Sequence, residues 1–125
     1  MSKELELPIC PVEVTLFFID HKWKVLIVRE LLTGTKRFGA LRNSLTGITQ
    51  KTLTQNLRAM ENHGIVSRKV YPEVPPKVEY SLTELGASLR PVLDAMYSWG
   101  ESLQAHSNHS KNTLQKQFLK NDPTT

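Results

Sequence analysis

Residues 46–64 decide the fold: Thr46-Gly47-Ile48-Thr49-Gln50-Lys51-Thr52-Leu53-Thr54-Gln55-Asn56-Leu57-Arg58-Ala59-Met60-Glu61-Asn62-His63-Gly64. Thr46-Gly47 reads as a tight turn. Thr49 is a good N-cap, because its hydroxyl can accept from an otherwise unpaired N–H of the first helical turn. Leu53, Leu57 and Met60 recur at i, i+4, i+7, the apolar stripe of an amphipathic helix, and His63-Gly64 closes it. On a helical wheel Leu57 and Met60 fall within about 40° of Leu53, Thr54 lies about 100° away, and Lys51, Gln55 and Arg58 lie about 140–200° away, opposite the core. These side chains suit the major groove. Arg and Lys donate to guanine O6 and N7, Gln pairs with adenine, and Thr meets a phosphate or a thymine methyl. Thr49 and Gln50 stand at the helix start, where the dipole and free N–H groups favour phosphate.

On the N-terminal side, Phe38, Leu41 and Leu45 recur at i, i+3, i+7 and mark a second short helix. Lys36, Arg37 and Arg42 are expected on it, as contacts to the DNA backbone. Earlier still, Pro11 suits a first helical position, Val12 to Asp20 reads as a short apolar helix, and Val25 to Leu32 as another that closes at Thr33-Gly34. On the C-terminal side, Val66 to Tyr71 and Val78 to Leu82 read as strands. The tip between them, Pro72-Glu73-Val74-Pro75-Pro76-Lys77, is stiffened by proline and delivers Lys77 to phosphates or the minor groove. Thr83 caps a long helix with Leu85, Leu89, Val92, Leu93, Met96, Trp99 and Leu103 on one stripe, and Pro91 should bend or split it.

Two short helices joined by a Gly-containing turn, then a β-hairpin, make a winged helix-turn-helix. The fold expected is mainly α with a small β-hairpin, plus extra N- and C-terminal dimerisation helices. Residues 1–9 form an arm, 10–105 the DNA-binding domain, and 106–125 a polar, flexible tail with a weak helical turn at Leu114 to Leu119. The end helices carry Val14, Leu16, Phe17 and Phe18, and Leu93, Met96, Tyr97, Trp99 and Leu103, more apolar surface than one small core needs. Helix-turn-helix dimers read half-sites about 34 Å apart, so a homodimer on a palindromic double-stranded DNA operator is expected.

Composition narrows the alternatives. The 125 residues suit one domain, and 39% hydrophobic with 22% charged residues excludes collagen-like and wholly disordered chains. No apolar stretch reaches the roughly 18 residues of a membrane span, and the N-terminus lacks a secretory pattern. A single cysteine, Cys10, excludes an intrachain disulfide and points to the cytoplasm. The net charge is only +4, but residues 36–77 hold eight bases and two acids, while the rest of the chain is slightly acidic. A basic middle between acidic flanks fits a polyanion-binding surface. No P-loop, GxGxxG, GxSxG or HExxH pattern occurs and the carboxylates are scattered, so no enzyme and no cofactor is expected. His106-x-x-His109 has ligand spacing but no third ligand nearby, so no metal is expected. His21 and His63 read as capping or surface residues.

The chain resembles the HxlR-type transcriptional regulators, a branch of the MarR-like winged-helix proteins. The resemblance rests on Cys10-Pro11-Val12, Lys22-Trp23, Arg37-Phe38-Gly39-Ala40-Leu41, Gly47-Ile48-Thr49 with Leu53 and Leu57, and Glu61-Asn62-His63-Gly64-Ile65-Val66. It continues through Val74-Pro75-Pro76-Lys77-Val78-Glu79-Tyr80-Ser81-Leu82-Thr83, Gly86, Pro91-Val92-Leu93 and Trp99-Gly100. His21 departs from the pattern, which usually has glycine before Lys-Trp. The resemblance implies a homodimer on operator DNA, usually a repressor and sometimes an activator. It also implies that Cys10, at a helix N-terminus that favours thiolate, senses redox or electrophile signals. An inert cysteine is the plain alternative. The alternative to DNA reading is a winged-helix protein-interaction module without base readout.

Overall fold

The computed structural model describes residues 6–109, and the expected turn at Leu114 to Leu119 lies outside them. The chain divides into two compact units, one ending at Leu89 and one beginning at Arg90, described in turn.

The first unit opens with α1 (Pro11–Phe18). Pro11 occupies the first turn, where a missing N–H costs nothing, and Cys10 is the extended N-cap residue. α2 (Lys22–Leu31) follows, with Ile27, Val28 and Leu31 buried. His21 caps it, its Nδ1 accepting from the Trp23 N–H at 3.3 Å. Its φ of −136° is ordinary extended backbone, so the family's glycine is not required here. β1 (Lys36–Arg37) leads directly into α3 (Phe38–Ser44). Lys36 and Arg37 therefore sit on a strand, and Arg42 alone of the three is on the helix. Two residues are too few to show a strand period, and their pairing is with residues more than 40 positions away.

Gly47 takes a φ of +89° in the turn after α3, a conformation that glycine adopts without a Cβ clash. α4 (Gln50–Asn62) then begins as expected: the Thr49 hydroxyl accepts from the Thr52 N–H at 3.1 Å. It ends in a Schellman motif. The Ile65 N–H reaches the Met60 carbonyl at 2.9 Å, the Gly64 N–H reaches Glu61 at 3.1 Å, and Gly64 has φ +79°. Ile65 and Met60 are both buried at that corner, the apolar contact that accompanies this motif.

β2 (Val66–Tyr71) and β3 (Lys77–Leu82) form the hairpin, but β1 adds a third antiparallel strand in the order β1-β3-β2. Alternation along the strands turns Val66 and Tyr80 into the core, which also holds Leu41, Leu45, Ile48, Leu53 and Leu57. α5 (Glu84–Ala87) is a single turn capped by Thr83, whose hydroxyl accepts from the Gly86 N–H at 3.0 Å.

The second unit is α6 (Arg90–His109). The single long helix expected after Thr83 is thus two. Pro91 does not bend the second one; it lies in its first turn. Leu93 is buried, while Met96, Tyr97 and Trp99 are exposed. α6 runs to His109, beyond the boundary expected at residue 105.

Candidate nucleic-acid interface

The two faces of α4 separate cleanly. Leu53, Leu57 and Met60 are buried, whereas Lys51, Gln55 and Arg58 are exposed and Thr54 is half-buried. An open depression of about 530 Å³ runs along the polar face, lined by Gln50, Lys51, Thr54, Gln55 and Arg58. A second hollow, of about 450 Å³, lies between α4 and the sheet, with Thr54, Arg58, Arg68 and Tyr80 among its walls.

Charge pairing leaves this region positive. The ion pairs among the described residues are Lys24–Asp20, Arg29–Glu30 and Lys77–Glu79. Lys36, Arg42, Lys51, Arg58 and Arg68 have no carboxylate within 4.0 Å among those residues. Thr49 is placed differently from the cations: its hydroxyl is engaged with the N–H and, at 2.9 Å, the Oγ1 of Thr52. It fixes where the helix starts. Gln50 follows it at the first helical position, exposed.

Lys77 is not at the hairpin tip. It is the first residue of β3, opposite Tyr71, with its Nζ 3.5 Å from Glu79 and 4.7 Å from the Tyr71 ring centroid. The tip itself is Pro72 to Pro76, with a cis Val74–Pro75 peptide. Lys69 stands over the same ring at 4.8 Å, and the Tyr71 hydroxyl donates to Glu79 at 2.9 Å. That hydroxyl first, and then the Lys77 and Arg37 charges, hold the Glu79 carboxyl below the usual carboxylate range. Arg68, Lys69, Tyr71 and Glu79 are not among the DNA contacts that the sequence predicts. The signal was there: on a hairpin with a known register, Lys69-x-Tyr71 and Lys77-x-Glu79 share one face.

Cys10 is exposed at the α1 N-cap and makes no side-chain capping bond. His63 is the C-cap residue of α4, and its ring lies 4.9 Å from that of Phe17 on α1. Among the described residues no three His, Cys, Asp or Glu side chains gather as metal ligands, and no helix is long and apolar enough to cross a membrane.

Known proteins share this fold. The HxlR-like helix-turn-helix family model matches residues 18–108. The HTH-type transcriptional regulator YybR of Bacillus subtilis is 52% identical over 93 residues, which is 74% of each chain. Among solved structures, the redox regulator HypR in its reduced form superposes with a TM-score of 0.74 at 46% identity, covering 81% of this chain and 100% of that one. Reduced YodB from B. subtilis, a transcriptional regulator, gives 0.65 at 37% identity, covering 75% and 93%. The chain therefore belongs to the HxlR-like helix-turn-helix family and is a DNA-binding transcriptional regulator, not an enzyme.

Proposed function

We propose that two copies of this chain bind a palindromic operator in the cytoplasm and repress the promoter that overlaps it. The observation that carries this reading is the exposed, unpaired set Lys51, Gln55 and Arg58 on the face of α4 opposite its buried stripe. Lys51 and Arg58 donate to guanine edges, Gln55 pairs with adenine, and Thr54 meets a phosphate or a thymine methyl. Thr49 and Gln50 set the α4 N-terminus against a phosphate. Lys36, Arg37 and Arg42 hold the backbone, and Lys77 adds a contact from the hairpin. The homodimer is supported by apolar side chains left exposed on each end of the chain: Val12 and Leu16 on α1, and Met96, Tyr97 and Trp99 on α6.

Binding to genomic fragments, selected and then titrated at several salt concentrations, tests the reading. A steep log–log slope with a palindromic preference supports it. A flat slope without site preference makes the fold a protein-interaction module.

The signal proposed is an oxidant or electrophile acting at Cys10. Cys10 is exposed and precedes a helix that carries part of the proposed dimer surface, and relatives of known structure include a redox regulator. Cys10→Ser is expected to abolish any change in DNA affinity induced by diamide or a quinone. An unchanged response eliminates this cysteine as the sensor.

A further inference from the structure

α1 has two unlike faces. Val12 and Leu16, one turn apart, are exposed, and Cys10 is exposed at the helix start. Val14, Phe17 and Phe18 fall on the opposite side at 100° per residue; they are half-buried, and no side chain of α1 is buried outright. These inward rings meet the end of α4. The Phe17 ring lies 4.9 Å from the His63 ring at an interplanar angle of 36°, and the Phe18 ring stands at 89° to His63, 6.5 Å away. Phe17 and Phe18 pack edge to face at 5.1 Å. The three rings interlock at separations and angles that aromatic pairs favour.

His63 is fixed to α4. It is the C-cap residue, its N–H bonded to the Ala59 carbonyl at 2.9 Å, and the Gly64 turn follows directly. From Lys51 to His63 the helix rises about 18 Å. A helix of that length moves as a rod, so tilting its last turn by about 1 Å displaces the side chains at its start by a similar distance. Hydrogen bonds to base edges weaken steeply when their geometry is lost. α4 already has its buried stripe of Leu53, Leu57 and Met60; the half-buried ring cluster beyond that stripe secures orientation more than burial.

We propose that the Phe17–His63 contact couples the two helices, so that α1 sets the seat of α4 and His63 is a positioning residue for base readout by Lys51, Gln55 and Arg58. The proposal rests on the reading of α4 as the base-contacting helix, and it holds whether or not Cys10 is the sensor. Anything that moves α1 acts on its outer face or its start, and the rings on its inner face pass the movement to α4.

Hydrogen exchange reads the contact without DNA. Phe17→Leu, a change on α1, should speed exchange of the His63 and Gly64 amides, which donate to Ala59 and Glu61. DNA binding reads the consequence, as the ratio of affinity for the tightest genomic duplex from the selection to affinity for an unrelated duplex of equal length. Phe17→Leu and His63→Ala should each lower that ratio about fivefold, the low end of couplings between sites. Affinity for the unrelated duplex should stay parental, since every Lys and Arg is retained. The double variant should also lose about fivefold, because both changes remove one contact. His63→Phe, which keeps a ring there, should restore the parental ratio. Thermal melts check folding, and His63→Ala against His63→Phe carries the test if Phe17→Leu does not fold. Faster exchange with a parental ratio overturns the proposal and leaves the cluster a packing contact. Unchanged exchange, or single losses that multiply in the double variant, overturns it too. Arg58→Ala should lower the ratio in any case; if it does not, the α4 reading itself has failed.

Discussion

Adding one methyl group, Gly86→Ala, should destabilise the protein severely. Gly86 is buried in α5, and a Cβ built there falls onto the backbone carbonyl oxygen of Ile65, with Leu82 Cδ2 at 3.0 Å and the Ile65 carbonyl carbon at 3.2 Å. The obstacle is mainly backbone, so no rotamer change clears it. That carbonyl also accepts the Thr83 N–H at 3.0 Å, and the Thr83 hydroxyl donates to the Gly64 carbonyl. Pushing α5 away strains or breaks both bonds. Overpacking costs about 1–3 kcal/mol, and the two hydrogen bonds about 1 kcal/mol each. The better helix propensity of alanine returns about 1 kcal/mol. The net loss is about 2–4 kcal/mol, a large share of the 5–15 kcal/mol typical of a domain. Far-UV circular dichroism at one protein concentration, which holds any self-association constant, should place Tm about 15 °C below the parent. Gly39→Ala is the matched control, because nothing lies within 4 Å of its added Cβ; its stability should stay within about 1 kcal/mol of the parent. A Gly86→Ala protein melting within about 2 °C of the parent refutes the argument.

Thr49→Ala removes the α4 N-cap and should cost about 1 kcal/mol, read from the urea midpoint; it should also weaken operator binding if the α4 start meets DNA as proposed, because that start frays. Asp20 predicts a small acid effect: the Lys24 ammonium, hydrogen-bonded at 2.9 Å, holds its carboxyl below the usual range. A depressed carboxylate contributes stability above its unfolded pKa and loses it as pH falls through the folded value. With the Asp20 side chain 59% exposed, that contribution is only a few tenths of a kcal/mol. Asp20→Asn should therefore narrow the difference between urea unfolding at pH 7 and at pH 2.5 by that amount, and a wider difference contradicts the sign.

What the sequence disclosed depended on range. The α4 cap, its buried stripe and its glycine stop are local features within one helix, and residues 49–65 form them as their types dictate. The hairpin was legible for the same reason, since period-two alternation and a proline-rich tip are adjacent in the chain. β1 was not, because Lys36 and Arg37 become a strand only through pairing with Tyr80 and Glu79. Pro91 pointed to a break in the last helix, but the break falls just before it, since proline is tolerated in a first turn and not in an interior one. Lys77 seemed to be a free cation at a tip. Its engagement with Tyr71 and Glu79 needs the strand register, which proline-containing loops of unknown geometry do not disclose.

The same structure separates what holds α4 from what α4 offers. Its start is fixed by Thr49, its end by the Gly64 turn and Ile65, and its inner side by Leu53, Leu57 and Met60. None of these groups is on the polar face, and the side chains of Lys51, Gln55 and Arg58 make no hydrogen bond or ion pair with another described residue. Exposed positions of that kind change stability by no more than about 0.5 kcal/mol when substituted. The residues proposed to contact bases can therefore be exchanged without disturbing the scaffold, which would let one fold serve different operators. The sheet face of Tyr71 and Glu79 is built the opposite way. Lys69 and Lys77 are tied to Tyr71 and Glu79, so their geometry is set before any ligand arrives.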